Sequence, residues 1–363
     1  MSPLGPGHQR LAVWSFINSS STYVDNSRAA RSVGGTTFSI FSAAADRLYI
    51  GLEDRFDMVI FFLSIAGSIG DRTWEYYDGD SWDIFSPGLE YAFTATGVEQ
   101  FDRLNNWRQL LITSTNPHAA TPPDNIPRYW MRVQVASVTT APTVNQIVLR
   151  SYAAYATATD VAETLQLGYD FSSDTIPTRH TVEDYIHNAQ SRIDYLTRKS
   201  WRPNYAQNEE HDFNRAGFQL VRNYPTNILS LGIWDGANYD MKTEGRDSDF
   251  FLVENTGMIH FARFFLLPAR IQAYGAAMWG WGFGEFTYPV RVSYIYGSNI
   301  YEDEREGSLV NMITKKMAAI DVIQMHDYSL IANSGVDRIS LERKSDMWRS
   351  ETDERLEELK SWE

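Results

Sequence analysis

At 363 residues, with 43% hydrophobic and 14% aromatic side chains, the chain is long enough for two domains with real cores, and no tract is polar enough to be disordered on composition. The absence of cysteine excludes disulfides, thiolate zinc sites and cysteine nucleophiles. A net charge of −14 argues against a general grip on nucleic acid, and no run approaches the roughly 20 apolar residues of a membrane span.

The opening MSPLGPGHQR lacks the charged-then-apolar layout of a signal peptide. From residue 35 to 150 the chain reads as strands and turns. RLYIGLEDRFDMVIFFLSIAG, 47–67, supplies two β-rich runs joined by a polar turn, and its longest apolar stretch has the length of a strand. RTWEYYDGDSWDIF, 72–85, predicts a hairpin with Asp78-Gly79-Asp80 as the turn. Along 128–135, Tyr129, Met131, Val133 and Val135 fall on one face and Trp130, Arg132 and Gln134 on the other. Many short strands at regular spacing predict an antiparallel β-sandwich over residues 1–152, a decoration or binding domain.

Two constellations on the predicted hairpin are candidates for chemistry. Glu75, Asp78, Asp80 and Asp83 lie within nine residues, as a glycosidase pair or a calcium site would need. Asp-Gly is equally what a solvated hairpin tip demands, and the spacing does not match a calcium loop, so we read them as turn residues and the chain as no enzyme. Trp74, Tyr76, Tyr77 and Trp82 are candidate contacts for a glycan or a protein, because aromatic rings stack on sugar faces. Cross-strand pairing within the hairpin is the competing explanation.

A composition shift near residue 155 places the domain boundary, giving domains 1–152 and 153–363. Residues 151–180 hold small side chains, a short helix over 160–167 and a Ser/Asp/Pro linker. TVEDYIHNAQSRIDYLTRKSW, 181–201, predicts a helix with Val182, Tyr185, Ile186, Ala189, Ile193 and Leu196 on one face. Thr181 would cap its start, Glu183 and Asp184 would meet the dipole, and Pro203 would close it. Strand patterning returns over 223–261, with Trp234-Asp235-Gly236 as a turn, and again over 288–298. A second helix is predicted over 308–327, with Leu309, Ile313, Met317, Ile320 and Gln324 along a stripe. Residues 345–363 then alternate acids and bases around Met347, Trp348, Leu356, Leu359 and Trp362. The expected fold is multidomain: an all-β antiparallel sandwich, then an α+β domain of helices with a small antiparallel sheet.

The seven histidines, at 8, 118, 180, 187, 211, 260 and 326, form no ligand pair at helical spacing, and GWGFGEF at 280–286 lacks the lysine of a phosphate loop. Neither a metal nor a cofactor is expected. Residues 1–157 carry 14 acids and 11 bases, which leaves −11 of the total −14 to the remainder. Only six of the 32 basic residues are lysine, a bias that fits a GC-rich genome or a salt-adapted source.

The order of the 181–201 helix, the strand pair opened by NYPTNILSLGIWDG, DSDFFLVENTGMIHF, YPVRVSYIYGS and the helix from about 308 resembles head–tail adaptor, or connector, proteins of tailed double-stranded DNA viruses. TIPTRHTVEDYIHNAQSRID looks especially like adaptors of haloarchaeal tailed viruses. The first domain is similar to β-sandwich modules fused to phage head and tail proteins, although ordinary adaptors are shorter. The resemblance implies a ring, usually of about a dozen copies, docked under the portal protein and joined on its other side to a tail-side connector or tail protein. Genome DNA would cross its lumen without specific binding, and no membrane is involved. It also implies assembly in the host cytoplasm, a place at the neck of the virion, and a C-terminal arm, 345–363, that reaches the portal through Trp348, Leu356, Leu359 and Trp362. The alternative is a tail or baseplate protein whose sandwich holds host surface glycans.

Overall fold

The computed structural model describes residues 11–32, 35–102, 104, 106–110, 126–212, 217–234, 237–254, 256–262, 290–298, 304–325 and 338–360. They divide into two compact units, Met1–Ile193 with Asn299–Glu363, and Asp194–Ser298. The expected boundary at 152/153 falls inside the first unit, so the sandwich and the helices after it belong to one unit.

Alternating side chains fold the N-terminal region into a pair of antiparallel sheets. The larger has the order β2 (Thr22–Asp25), β1 (Ala12–Ile17), β4 (Arg47–Leu52), β11 (Arg128–Val135), β7 (Arg72–Tyr77) and β8 (Trp82–Phe85), with β10 (Gln109–Leu110) also on β11. The second has the order β3 (Phe38–Ser39), β13 (Thr143–Ser151), β5 (Phe56–Ile65) and β9 (Gly97–Gln100), while β6 (Ser68–Ile69) pairs with β12 (Val138–Thr140). The two runs at 47–67 are therefore not a hairpin; the polar stretch between them carries the chain from one sheet to the other. Leu48, Ile50, Met131 and Val133 of the first sheet meet Val59, Phe61, Val144 and Ile147 of the second in one apolar core. Each such side chain contributes on the order of 1.5–3 kcal/mol by burial, before entropy. Two buried carboxylates fix the loops around this core. Asp46 accepts the backbone N–H groups of Asn18, Ser42 and Ala43, and Glu99 those of Leu89, Tyr91 and Gln100.

A short helix, α1 (Ser27–Arg31), follows β2, and four of the longer elements are helical: α2 (Ala158–Leu165), α3 (Arg179–Thr197), α4 (Glu304–Met325) and α5 (Arg338–Lys360). Thr157 and Asp160 form a reciprocal capping box at the start of α2. Helix α3 begins two residues before the predicted cap: the Thr181 N–H donates to Thr178 Oγ1 at 3.3 Å, so Thr178, not Thr181, occupies the capping position. It ends at Thr197, where Arg198 takes a left-handed φ of 53°. On α4 the buried stripe is Val310, Ile313, Thr314, Ala318 and Val322; Leu309 and Met317 are half-buried and Gln324 is exposed. Of the expected stripe Ile313 and Ile320 are buried, and Thr314 is buried beside them with its hydroxyl donating to the Val310 carbonyl. Val161 and Ala162 of α2, Val182 and Ile186 of α3, Ala318, Ala319 and Val322 of α4 and Trp348 of α5 share one core.

The second unit holds two small antiparallel sheets. One has the order β14 (Asn204–His211), β20 (Val290–Tyr296), β16 (Pro225–Trp234) and β17 (Tyr239–Met241); the other, β15 (Gly217–Gln219), β19 (Met258–Phe261) and β18 (Phe250–Val253). Leu231, Val290, Val292, Phe250 and Ile259 lie in its core. The fold is thus an antiparallel β-sandwich followed by an α+β region, as the sequence pattern predicts. Residues 235–236 and 280–286 lie outside the described residues.

Candidate functional site

Pleating sends alternate residues of the larger sheet to its outer face. One row runs in register across four strands: Trp14 of β1, Tyr49 of β4, Arg132 of β11 and Glu75 of β7. Beside it Phe16, Arg47 and Gln134 form a second row, and Gly51 and Trp130 lie on the other side, with Tyr77 opposite Trp82 at the β7–β8 edge. Gly51 is required there: a Cβ would stand 2.6 Å from the Trp130 ring, which lies over the bare backbone. Arg132 and Glu75 form a fork-to-fork pair at 2.7 and 2.8 Å, and Trp82 stacks over the same guanidinium at 4.4 Å. Burial works against the Arg132 charge, yet the bonds to Glu75 outweigh it and hold its pKa above the ordinary value. Burial, then Tyr49, push the Tyr23 hydroxyl up, while Arg47 and Arg132 oppose the shift.

Of the four aromatics singled out in the sequence, this geometry separates two from two. Trp74 is 3% exposed and sits in the sandwich core with Tyr76, whereas Tyr77 and Trp82 are half-buried on the outer face. Tyr23, Tyr49 and Arg132 were not singled out. Their signal was the alternation Arg47/Tyr49/Gly51 and Trp130/Arg132/Gln134, which marks two large faces instead of one.

Two of the nearby carboxylates, Asp78 and Glu75, have local partners. Asp78 Oδ1 accepts the backbone N–H groups of Asp80 and Ser81 at 2.8 and 2.6 Å, and those bonds hold its carboxyl below the usual range. Glu75 is paired with Arg132, and Asp80 is exposed at the tip.

A second polar cluster joins the sandwich to α3. Arg55, 4% exposed, donates to Glu183 at 2.9 Å and to the His180 carbonyl at 3.2 Å, and its guanidinium lies over the Tyr152 ring at 4.9 Å. Arg179 reaches the other Glu183 oxygen at 2.9 Å, and Arg150 pairs with Asp57 at 2.7 and 2.9 Å. Gln190 accepts from the Tyr155 N–H and donates to the Tyr152 carbonyl, so the chain leaving β13 is stitched to α3. The exposed stretches of the expected linker are 168–170 and 172–174.

Two histidines serve this joint, and a third has its partner within the second unit. His180 meets the Tyr129 hydroxyl at 3.2 Å, His187 stacks on Tyr152 at 4.1 Å, and His211 bonds Glu209 at 2.6 Å. Among the described residues no group of three His, Asp or Glu side chains could hold a metal ion. Among the expected portal anchors, Trp348, Leu356 and Leu359 are 5, 7 and 4% exposed, buried within their own chain on α5, and Trp362 lies outside the described residues. No described helix is long and apolar enough to cross a membrane.

No protein-family model and no curated protein matches this sequence. Among solved structures, the chain is similar to the family 32 carbohydrate-binding module of C. perfringens NanJ in complex with galactose, with 10% identity and a TM-score of 0.26 over 40% of this chain and 97% of that one. It is similar to a chain in the virion of a native gene transfer agent particle, with 13% identity and a TM-score of 0.29 over 52% of this chain and 87% of that one. A chain in the neck of an empty gene transfer agent particle matches with 14% identity and a TM-score of 0.28, over 53% and 87%. Superpositions this loose say nothing of activity or partners.

Proposed function

We propose that the chain is a structural virion protein, a head–tail adaptor that closes into a ring of about a dozen copies between portal and tail. The observation that carries this reading is the order of packed elements after residue 157: α2, α3, small antiparallel sheets, α4 and α5. That is the order the adaptor resemblance implies. The joint of buried Arg55 and Glu183 with half-exposed Arg179 supports it further, because fixed charges hold the sandwich and α3 at one angle, as a virion component under mechanical load requires. The net charge of −11 on residues 158–363 disfavours adhesion of the genome to the lumen.

In this reading the partners are further copies of the chain, the portal and a tail-side protein, and the place is the virion neck. Trp348, Leu356 and Leu359 serve the subunit's own core, and portal contact through them would require α5 to unpack. No catalytic role is assigned to Glu75, Asp78, Asp80 or Asp83. The virion and neck chains of the gene transfer agent agree with the reading in kind, but it does not rest on them. Mass photometry of the purified chain, with negative-stain imaging, is the test. Closed rings of about a dozen copies are expected, and single copies at every concentration, with or without portal, would overturn the adaptor and favour the tail or baseplate alternative.

A further inference from the structure

The outer face of a two-layer sandwich normally meets water with polar side chains. Here it carries a layer of rings around one ion pair. We propose that the β7–β8 edge of this face binds a neutral hexopyranose of a glycan, with Trp82 under the sugar ring, Tyr77 at its side, and Glu75 and Arg132 at its hydroxyls.

The chemistry follows from what a pyranose presents: an apolar C–H face and a rim of hydroxyls in nearly one plane. Its receptor needs an aromatic plate beside planar groups that accept and donate in pairs. Tyr77 and Trp82 pair edge to face across the hairpin, with centroids 5.9 Å apart and planes at 62°, both half-buried, and Ile84 beside them is 72% exposed. Trp82 is held before any ligand arrives, by Arg132 at 4.4 Å and by the edge of Tyr49 at 5.5 Å. Such fixing lowers the entropy lost on binding. Each Glu75 oxygen takes one Arg132 bond and has a second lone pair, and the guanidinium has donors beyond those two, with the side chains 12% and 11% exposed. Because the pair is compensated internally, the site suits a neutral ligand. The site stands apart from the ring reading, and each holds without the other.

The test passes the full-length protein over immobilised neutral oligosaccharides ending in glucose, galactose, mannose or N-acetylglucosamine. Retention on at least one is expected, weakened about tenfold or more by Trp82→Ala and by Glu75→Gln. Tyr195→Ala, at a residue 75% exposed in the other unit, should leave it unchanged. Circular dichroism checks that each variant folds; if Trp82→Ala does not, Tyr77→Ala takes its place. No retention on any of the four at millimolar sugar sites, or equal retention by folded Tyr77→Ala, Trp82→Ala and Glu75→Gln, would overturn the site.

Discussion

Replacing Arg55 by methionine tests the joint between the sandwich and α3. Arg55 and Glu183 stand 2.8 Å apart with side chains 4% and 7% exposed. At an effective dielectric of about 20 their attraction is about 6 kcal/mol. Desolvation costs several kcal/mol for each ion, so the intact pair contributes little net stability. Removing one partner is different, because Glu183 stays buried with a charge and less to balance it. Arg179, at 2.9 Å but 45% exposed, compensates only partially. Arg55→Met should therefore cost about 3 kcal/mol, the low end for a broken buried pair, and loss of the contact with Tyr152 adds about 1 kcal/mol. The double change Arg55→Met with Glu183→Leu removes both charges and should be more stable than Arg55→Met alone. Urea unfolding followed by far-ultraviolet circular dichroism measures all four proteins of the cycle. A loss under about 1 kcal/mol for Arg55→Met, or a double variant as weak as the two singles added, would refute the reasoning.

Gly51→Ala should destabilise the sandwich by about 1–3 kcal/mol, read as a lower melting temperature, because the new methyl meets the Trp130 ring at 2.6–2.8 Å. Glu209 is half-buried, and burial alone would raise its pKa, but bonds from His211, the Val221 N–H and the Tyr294 hydroxyl hold it below the ordinary 4.5. Its contribution to the second unit is therefore complete above about pH 4.5 and lost as pH falls through the lowered value, and Glu209→Gln should flatten the fall of the melting temperature below about pH 5. Trp348→Ala should cost about 3–5 kcal/mol, and a chain stopped after Asp346 should lose protection of α2–α4 in hydrogen exchange; unchanged protection would show that α5 is a dispensable arm.

The β7–β8 hairpin was legible because Asp78-Gly79 supplies its own turn chemistry and the registers of Trp74, Tyr76 and Phe85 follow from pleating. The start of α3 was not. Glu183 and Asp184 looked like first-turn acids, and Thr181 therefore looked like the cap, but Glu183 is consumed by Arg55, a partner 128 residues away. Helix α5 read as an arm reaching the portal because Trp348, Leu356 and Leu359 are sparse among charges. Counting the buried small polar residues Ser345 and Thr352 completes a stripe at 345, 348, 352, 356 and 359, the three- and four-residue spacing of a packed helix. Strand β14 escaped notice for a different reason: Asn208, with a φ of 51°, interrupts its ladder and scrambles the alternation. The outer face of the sandwich was half visible, since alternation separates two faces but does not say which one meets water.

The first unit is assembled from two stretches of chain, ending at Ile193 and resuming at Asn299. On a ribosome this sets a schedule. The sandwich strands and α2 emerge early, but the apolar sides of Val161, Val182 and Ile186 must wait for α4 and α5. Roughly 100 residues of the second unit are translated in between, which at about 5–20 residues per second is a delay of roughly 5–20 s. During that interval the nascent chain carries a finished sandwich beside an uncovered helical patch, which is a natural substrate for holdase chaperones. Synthesis interrupted in that interval would release a sticky fragment, so the emergence of α5 is the event that makes each copy safe to accumulate.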